Sequence, residues 1–379
     1  MQTTEKHCGF GAPALFQQLA GGWTKPSASV AGFTCLAGLL ALLSAVPIQA
    51  QSLQLRPVSE AGSVAHIMPT VENAAALRAA NAQRPAGFAS AGFSGALSYH
   101  GGPVIVKATT YAIFWIPASG ALQDGSPTSL TLHYQTVQTN LLKDYPGHSI
   151  ANNNTQYYQG STTKTFIQNA GTFGGSYVDT SSYPVSDCTD SATPGNCISD
   201  ALIQQEIVKV MGIKGWTGGN NKVFFLFTSS GEGSCYNASN CSYTQYCAYH
   251  TFFSSGGVNV IYGNEPFGNP SVCAGGTPSP NNDAAADSAA SALTHELTEA
   301  ITDPLLNAWY GGSGVASEIG DLCNGYMGYM GWDGGLANEY WNGHYYAVQT
   351  EYSNYLSGFY MIVNGINGPT GCFNVGPEL

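Results

Sequence analysis

The chain is poor in charged side chains of either sign, and especially in positive ones. Only 9% of its 379 residues are Asp, Glu, Lys or Arg, and 11 basic residues stand against 23 acidic ones. This balance argues against a nucleic-acid-binding protein or a basic membrane-surface protein. The hydrophobic fraction of 44% is normal for a globular protein and excludes a disordered polyelectrolyte.

Positive charge is absent from the C-terminal part of the chain. No Lys or Arg follows Lys222, whereas 13 Asp and Glu residues do. Carboxylates without basic partners must be hydrated, protonated or bound to a metal ion. The charge distribution alone therefore raises the hypothesis of a metal site in this part of the protein, and the sequence motifs are examined for it below.

One long uncharged apolar run occurs, at residues 30–46, and no later stretch is long enough to cross a membrane. Lys25 precedes the run and the small residue Ala50 follows it, which is typical of a secretory leader. An uncleaved anchor is the alternative, although the run is at the short limit for a span. We expect residues 1–50 to be a signal peptide, and the mature protein to be secreted or periplasmic and free of the membrane.

The sequence has no CxxC pair, which argues against a structural zinc site built from thiolates. Eight cysteines remain after residue 50, an even number that predicts disulfides in an exported protein. Cys188 and Cys197 flank a Pro-Gly turn and are expected to pair. The pairing of the other six is left open.

Residues 51–92 are rich in Ala, Gln, Ser and Pro, show no strand pattern, and are interpreted as a linker or removable pro-segment with a short helix at 71–82. Beyond them, β-branched and aromatic runs predict strands, and helical spacing predicts helices. The strands are expected at 104–116, 222–228, 247–254 and 258–262, and the helices at 129–145, 199–211 and 284–302. This mixture predicts an α/β (α+β) fold with a mixed sheet, in one disulfide-stabilised domain at 93–379.

The last predicted helix carries the segment His295-Glu296-Leu297-Thr298-Glu299. His295 and Glu299 are four residues apart and share one helical face. Zinc peptidases use the similar H-E-x-x-H pattern for two metal ligands, with the Glu as general base. The segment therefore predicts a zincin-like active-site helix with His295 and Glu299 as ligands and Glu296 as base. Zn²⁺ is the expected metal, with Ca²⁺ as an alternative because a carboxylate replaces one histidine.

A third ligand is expected downstream, and the sequence offers alternatives. Glu318 lies 19 residues after Glu299, and Asp321 follows as a further acid to hold the metal or orient its ligand. Asp303 competes, because it falls near the same helical face. His344 is a candidate catalytic residue that would polarise a substrate carbonyl or stabilise an oxyanion.

The competing interpretation of the helix is structural. Leu293, Leu297 and Ile301 form an apolar stripe, so His295 and Glu299 are also consistent with a solvated opposite face. His250, which follows Cys247 closely, is interpreted as packing beside a disulfide. The sequence shows no phosphate-binding loop, dinucleotide fingerprint or G-x-S-x-G elbow.

Several dispersed segments resemble the EXORDIUM-like (phosphate-induced) family over roughly residues 95–375. They are Tyr99-His100-Gly101-Gly102-Pro103-Val104, Pro280-Asn281-Asn282-Asp283, Asn307-Ala308-Trp309-Tyr310, Glu318-Ile319-Gly320-Asp321-Leu322-Cys323, Asn342-Gly343 and Val348-Gln349-Thr350-Glu351-Tyr352-Ser353-Asn354. The resemblance implies a secreted protein whose plant relatives associate with the cell wall, are linked to growth control and have no settled biochemical activity. The His-Glu pair in the helix resembles bacterial-type members more than plant members.

These observations predict a secreted zinc-dependent metallohydrolase, most simply a peptidase acting on peptide or protein substrates. The alternative is a non-catalytic extracellular protein that binds cell-wall polysaccharide through surface aromatics, for which the candidates are Trp309, Tyr310, Trp332 and Trp341. A glycoside hydrolase using Glu318 and Glu339 is a third hypothesis. No nucleic-acid partner is expected.

Overall fold

The structure, a computed structural model, describes residues 65–82, 97–117, 129–274, 278–311, 318–357, 362–363, 366–367 and 371–373. All of them lie within a unit that spans residues 50–379. The leader predicted for residues 1–50 lies outside the described residues. Among those described, no helix has the length and apolar character needed to cross a membrane.

A mixed six-stranded sheet forms the centre of the fold. Its strands are β1 (Ala65–Pro69), β2 (Ala108–Trp115), β3 (Gly171–Asp179), β4 (Lys222–Thr228), β5 (Tyr246–Ser255) and β6 (Val258–Glu265). The strand order is β1-β5-β6-β4-β2-β3. β1, β5 and β6 are antiparallel neighbours, whereas β6, β4, β2 and β3 run parallel.

The helices lie on both faces of this sheet. They are α1 (Val71–Ala82), α2 (Ser129–Asp144), α3 (Ser149–Asn153), α4 (Asp200–Lys214), α5 (Pro270–Cys273) and α6 (Ala284–Thr302). Alternating side chains of the buried strands explain the two layers. Phe225 and Phe227 pack on the side of α2 and α6, whereas Phe224 and Leu226 pack on the side of α4. The predicted α/β (α+β) class is confirmed.

Short elements complete the described fold. Two-stranded pairs join Ser98–Tyr99 with Trp309–Tyr310, Tyr158–Gln159 with Thr165–Phe166, Glu339–Trp341 with His344–Tyr346, Glu351–Tyr352 with Cys372–Phe373, and Ile362–Val363 with Ile366–Asn367. A small sheet contains Cys197–Ser199, Gly233–Asn237 and Asn240–Cys241. Single 3₁₀ turns occur at Asn154–Gln156, Asp321–Cys323 and Asp333–Gly335.

All eight cysteines after residue 50 are paired. The predicted Cys188–Cys197 disulfide is confirmed, and the others are Cys235–Cys241, Cys247–Cys273 and Cys323–Cys372. The last of these closes the longest loop, with a sequence separation of 49, and ties the turn at Asp321–Cys323 to the C-terminal strand pair. The fold is therefore disulfide-stabilised, as predicted.

The segment before residue 93 contains more structure than its composition indicates. The helix expected at 71–82 is present, but the absence of a strand pattern was misleading, because Ala65–Pro69 forms the edge strand β1 of the main sheet. Ile67 is the single β-branched residue of that strand, so the local propensity is weak. Pairing with β5 is a tertiary effect that composition cannot reveal.

Candidate metal centre

Helix α6 carries the predicted motif and is buried along almost its whole length. Its first turn is capped by Asp283, whose side chain accepts a hydrogen bond from the Ala286 amide at 3.0 Å. The side chains of His295, Glu296 and Glu299 are all fully buried. The interpretation of His295 and Glu299 as a solvated face is therefore wrong, because both sides of this helix lie in the protein interior.

A first group of potential ligands consists of His295, Glu299 and Asp321. Nε2 of His295 lies 3.1 Å from Oε1 of Glu299 and 3.8 Å from Oδ1 of Asp321. The Asp321 amide also donates to Oε1 of Glu299 at 3.1 Å. Gly320 permits this approach, since a Cβ there would lie only 2.7 Å from Nδ1 of His295. Three of the four predicted ligands therefore meet.

A second group consists of His250, Glu296 and Glu299. Nδ1 of His250 lies 3.1 Å from Oε2 of Glu296, with which it forms a hydrogen bond, and 3.5 Å from Oε2 of Glu299. Glu299 therefore presents Oε1 to the first group and Oε2 to the second. One carboxylate joins the two groups into a continuous buried cluster.

Glu318, the fourth predicted ligand, approaches the cluster from the His250 side. Its Oε2 lies 3.6 Å from Nε2 of His250, and its Oε1 lies 3.1 Å from Nδ1 of His66. Neither Glu318 oxygen receives a hydrogen bond from an N–H or hydroxyl group of the residues that the structure describes, and the Glu318 carboxyl group interacts with that of Asp303. Glu318 therefore reaches the cluster, but it contacts His250 and His66 rather than His295.

Strand β1 covers the cluster at the sheet edge. His66 stands opposite His250 in the antiparallel register, and the two rings stack with centroids 5.7 Å apart. The Met68 amide donates to Oε1 of Glu296 at 3.2 Å. The segment predicted as a linker or pro-segment therefore supplies both a side chain and a backbone donor to the site.

Burial and mutual charge shift the pKa values of the histidines in opposite directions. Burial and the neighbouring His250 lower the pKa of His66 to about 3, so that His66 is neutral. Burial also lowers the pKa of His250, but its contacts with the carboxylates of Glu296 and Glu299 outweigh this and raise it to about 9. For His295, attraction to Glu299 likewise outweighs burial and raises the pKa well above its usual range.

The pKa values of the acids in the cluster are also shifted in both directions. Burial raises the pKa of Glu296, and burial with the charge of Glu299 raises the pKa of Glu318 and Asp321 well above the usual range. Burial opposes ionisation of Glu299, but His295 and His250 lower its pKa below the usual range. Glu299 is therefore the carboxylate that stays ionised at the centre of the cluster.

Further buried acids surround this core, and burial raises the pKa of each of them. Glu265, Asp303 and Glu351 are fully buried or nearly so, and their charges interact with those of the cluster. Among the described residues, no Lys or Arg forms an ion pair with any of these seven carboxyl groups. Histidine and carboxylate donors in this combination suit Zn²⁺ and Mn²⁺.

Many ligand-type atoms in the cluster lack hydrogen-bond partners within the described part of the chain. They are Nδ1 of His66, Nε2 of His250, both ring nitrogens of His295, Oε2 of Glu299, both carboxylate oxygens of Glu318, Oδ2 of Asp303, Oε1 of Glu265 and Oε2 of Glu351. Buried polar groups without partners are costly, and a native protein normally satisfies them. The residues present therefore fit a bound divalent cation.

His344 lies in a different environment. Its Nδ1 is 2.6 Å from Oδ2 of Asp144, and its Nε2 is 3.1 Å from Nδ2 of Asn140, both on α2. Glu339, in the neighbouring strand, accepts hydrogen bonds from Ser149 and Trp341. The proposed catalytic role of His344 stays a prediction, and these hydrogen bonds join its ring to α2 rather than to the cluster.

Sequence reasoning missed His66 and assigned His250 to packing. His250 is indeed close to the Cys247–Cys273 disulfide in sequence, but its ring faces Glu296 and Glu318. The alternation of side chains along a strand could have identified His250. Tyr249 packs toward α4, and since neighbouring side chains of a strand point to opposite faces of the sheet, His250 points to the α6 side. No comparable signal pointed to His66, because its strand was not predicted.

The fold and the site together describe an α/β protein that has a mixed sheet and four disulfides. A buried cluster of histidines and carboxylates lies beneath the edge of its sheet. Residues 263–357 match the family model described as "Phosphate-induced protein 1 conserved region". This stretch contains α6, Glu318, Asp321 and Glu351, whereas His66 and His250 lie before it.

Two curated proteins of Arabidopsis thaliana are similar to the chain over part of their length. "Protein EXORDIUM-like 3" is 36% identical over 119 residues, which cover 26% of this chain and 35% of that protein. "Protein EXORDIUM-like 5" is 40% identical over 75 residues, or 18% of this chain and 21% of that protein. The match therefore spans about a third of the relatives' length or less. No solved structure matches.

Proposed function

We propose that this chain is an extracellular protein of the EXORDIUM-like type that binds cell-wall polysaccharide without hydrolysing it. The family match and the two relatives support the EXORDIUM-like assignment. Four disulfides support an oxidising environment outside the cytoplasm.

The observation that carries polysaccharide binding is a row of aromatic rings on the hairpin at Glu339–Tyr346. We call it the aromatic strip, and it consists of Trp332, Tyr340 and Tyr345. Trp332 and Tyr340 are 50% and 44% exposed, with ring centroids 5.4 Å apart. Tyr345 continues the row, 4.8 Å from Tyr340. Exposed amphipathic rings in a row suit stacking on the apolar faces of successive sugars.

Two aromatic residues proposed from sequence for sugar stacking do not reach the surface. Trp309 and Trp341 are 6% and 1% exposed and belong to the hydrophobic core. Trp332 alone among the candidate tryptophans is available for a polymer. We therefore propose the hairpin and its flanking turn as the binding face.

A lack of hydrolysis is supported by the closed state of the metal centre. His250, His295, Glu296, Glu299 and Glu318 have no exposed surface. A substrate carbonyl cannot reach these five side chains, although His66 and Asp321 at the edge of the cluster are 15% and 5% exposed.

The test is a pull-down of the purified secreted protein with cellulose, xylan and peptidoglycan. Retention on one of them, weakened at least tenfold by Trp332→Ala or Tyr340→Ala, is the expected result. Tyr355→Ala is the matched control, because Tyr355 is 69% exposed but is not part of the strip. Retention on none of the three polymers, or equal loss in the control, would refute polysaccharide binding through the strip.

A metallohydrolase, acting as a peptidase, is the second candidate. The observation that favours it is the placement of His295, Glu296 and Glu299 on one buried helix beside Asp321 and Glu318. A bound Zn²⁺ would polarise a carbonyl and acidify water. Glu296 would accept the proton of the attacking water and pass it to the leaving amine as the C–N bond breaks.

This candidate predicts hydrolysis of casein or a peptide library by the purified protein. Glu296→Gln should abolish turnover, whereas His344→Ala tests whether that residue contributes to catalysis. Cleavage that survives in Glu296→Gln at the wild-type rate would remove the mechanism.

A further inference from the structure

We propose that the buried cluster holds two divalent cations, with Glu299 bridging them. The first position is formed by His295, Glu299 and Asp321. The second is formed by His250, Glu296 and Glu299, and Glu318 lies beside it. The proposal does not depend on polysaccharide binding, and it is incompatible with Glu296 as the general base of the hydrolase candidate.

The distances between donor atoms match those of ligands that share an ion. Bonds of about 2.0–2.2 Å in tetrahedral geometry place two ligand atoms roughly 3.3–3.6 Å apart. Around the second position, Nδ1 of His250 lies 3.1 Å from Oε2 of Glu296 and 3.5 Å from Oε2 of Glu299. Around the first, the spacings from Nε2 of His295 are 3.1 and 3.8 Å. Both positions have similar dimensions.

The orientation of Glu299 indicates a bridge rather than a single site. Its Oε1 faces His295 and Asp321, and its Oε2 faces His250. A carboxylate that offers one oxygen to each of two donor groups joins ions about 3.5–4 Å apart, the usual spacing of two-metal sites.

Unpartnered buried atoms supply an independent indication of a ligand. Oε2 of Glu299 and Nε2 of His295 have no hydrogen-bond partner among the described residues, although both side chains are fully buried, and the buried Glu318 carboxyl group faces another acid, Asp303. Such atoms lie on both sides of Glu299. One ion at His295 would leave those on the Glu318 side unsatisfied.

The number of donors also favours two ions. Six side chains of the cluster offer donor atoms, namely His250, His295, Glu296, Glu299, Glu318 and Asp321, whereas one Zn²⁺ is usually bound by four ligands. Among the described residues, no Lys or Arg forms an ion pair with the four acids of this set. In this arrangement Glu296 is a ligand and is not free to act as a general base.

Metal stoichiometry tests the proposal on the full secreted chain. The protein is dialysed against EDTA, reloaded with Zn²⁺, freed of excess metal and analysed by plasma mass spectrometry. We expect two equivalents. A single equivalent overturns the bridge but leaves a one-ion hydrolase possible, and none overturns both. Loading with Mn²⁺ should give the electron paramagnetic spectrum of a coupled pair, and a spectrum of isolated ions contradicts the bridge.

Two variants test which residues bind the second ion. His250→Gln and Glu296→Gln should each reduce the Zn²⁺ content from two equivalents to one, because each removes a ligand of that position alone. His344→Gln is the matched control and should retain two. Circular dichroism and a free-thiol assay identify any variant that fails to fold. Glu296→Gln with two equivalents bound would overturn the assignment of Glu296 as a ligand.

Discussion

The two faces of the main sheet neutralise buried acids in opposite ways. On the α4 side, Asp179 and Glu206 both form ion pairs with Lys209, and the buried Asp200 accepts hydrogen bonds from the hydroxyls of Tyr249 and Tyr262. This side therefore contains its own cation and its own donors.

The α6 side has a larger set of buried acids and no comparable internal cation among the described residues. Its positive charge comes only from histidines, whose protonation depends on pH and competes with metal binding. The α4 side is therefore neutralised by its own side chains, whereas we propose that bound metal ions complete the α6 side. The following predictions test that difference, beginning with the largest expected effect.

Removal of metal should destabilise the protein strongly through the α6 side. A ligand present at about 1,000 times its Kd stabilises the folded state by about 4 kcal/mol, which for a chain of this size corresponds to about 6 °C in Tm. Calorimetry before and after EDTA treatment measures the shift. His295→Ala should reduce the response to EDTA, because it removes a ligand of the first position. An unchanged Tm in the treated wild type would contradict metal binding.

Loss of the Cys323–Cys372 disulfide should cost about 4 kcal/mol, because it closes the longest loop and holds the turn that contains Asp321. Loss of Cys188–Cys197, which closes a much shorter loop, should cost about 2–3 kcal/mol. Paired Cys→Ala variants and guanidinium denaturation give both values. The variant that lacks Cys323–Cys372 should also bind Zn²⁺ more weakly, whereas the variant that lacks Cys188–Cys197 should not. Equal effects on metal binding would contradict this difference between the two regions.

Lys209→Met should make the α4 side resemble the α6 side by leaving Asp179 and Glu206 without a cation. The expected cost is about 1–2 kcal/mol, below that of a fully buried pair because the Lys209 side chain is 43% exposed. Denaturation at pH 8, where both acids tend to ionise, measures it. Metal content should stay unchanged, which separates this site from the cluster.

Gly320→Ala should weaken metal binding about tenfold, or about 1.4 kcal/mol. The new methyl group would lie 2.7 Å from Nδ1 of His295 and 2.9 Å from Oε1 of Glu299, and would displace the first ligand group. Gly212→Ala is the control, because no atom lies within 4 Å of a Cβ at that position. Calorimetric titration with Zn²⁺ compares the two, and equal affinities would show that the close approach at Gly320 is not needed.

Glu232→Gln should change how stability depends on pH, by about 1 kcal/mol. Burial raises the pKa of Glu232 from 4.5 to about 7. The folded state therefore binds its proton more tightly than the unfolded state, and stability falls as pH rises from about 4.5 to 7. The glutamine variant should lose this component. Parallel denaturation curves at pH 4.5 and 7.5 measure the difference, and an identical pH dependence in both proteins would contradict it.

Local pattern was sufficient to predict most regular elements near the site. The strand at Lys222–Thr228 and the helix at Ala284–Thr302 have the bounds expected from the sequence. A strand of continuous aromatic and β-branched residues, and a helix with an Asp cap and a following proline, contain their own boundary signals. The edge strand Ala65–Pro69 contains none, because antiparallel pairing with a distant strand stabilises it.

The amino-acid sequence by itself determined the class of fold, the spacing of His295 and Glu299 on one helical turn, and the scarcity of positive charge after Lys222. Only the tertiary structure decided that His66 and His250 join them, that Glu299 faces two donor groups, and that the helix carrying the motif is buried on both sides. Helical periodicity and composition are local properties. The meeting of an edge strand, a central strand, a helix and a loop depends on contacts between residues more than 200 positions apart.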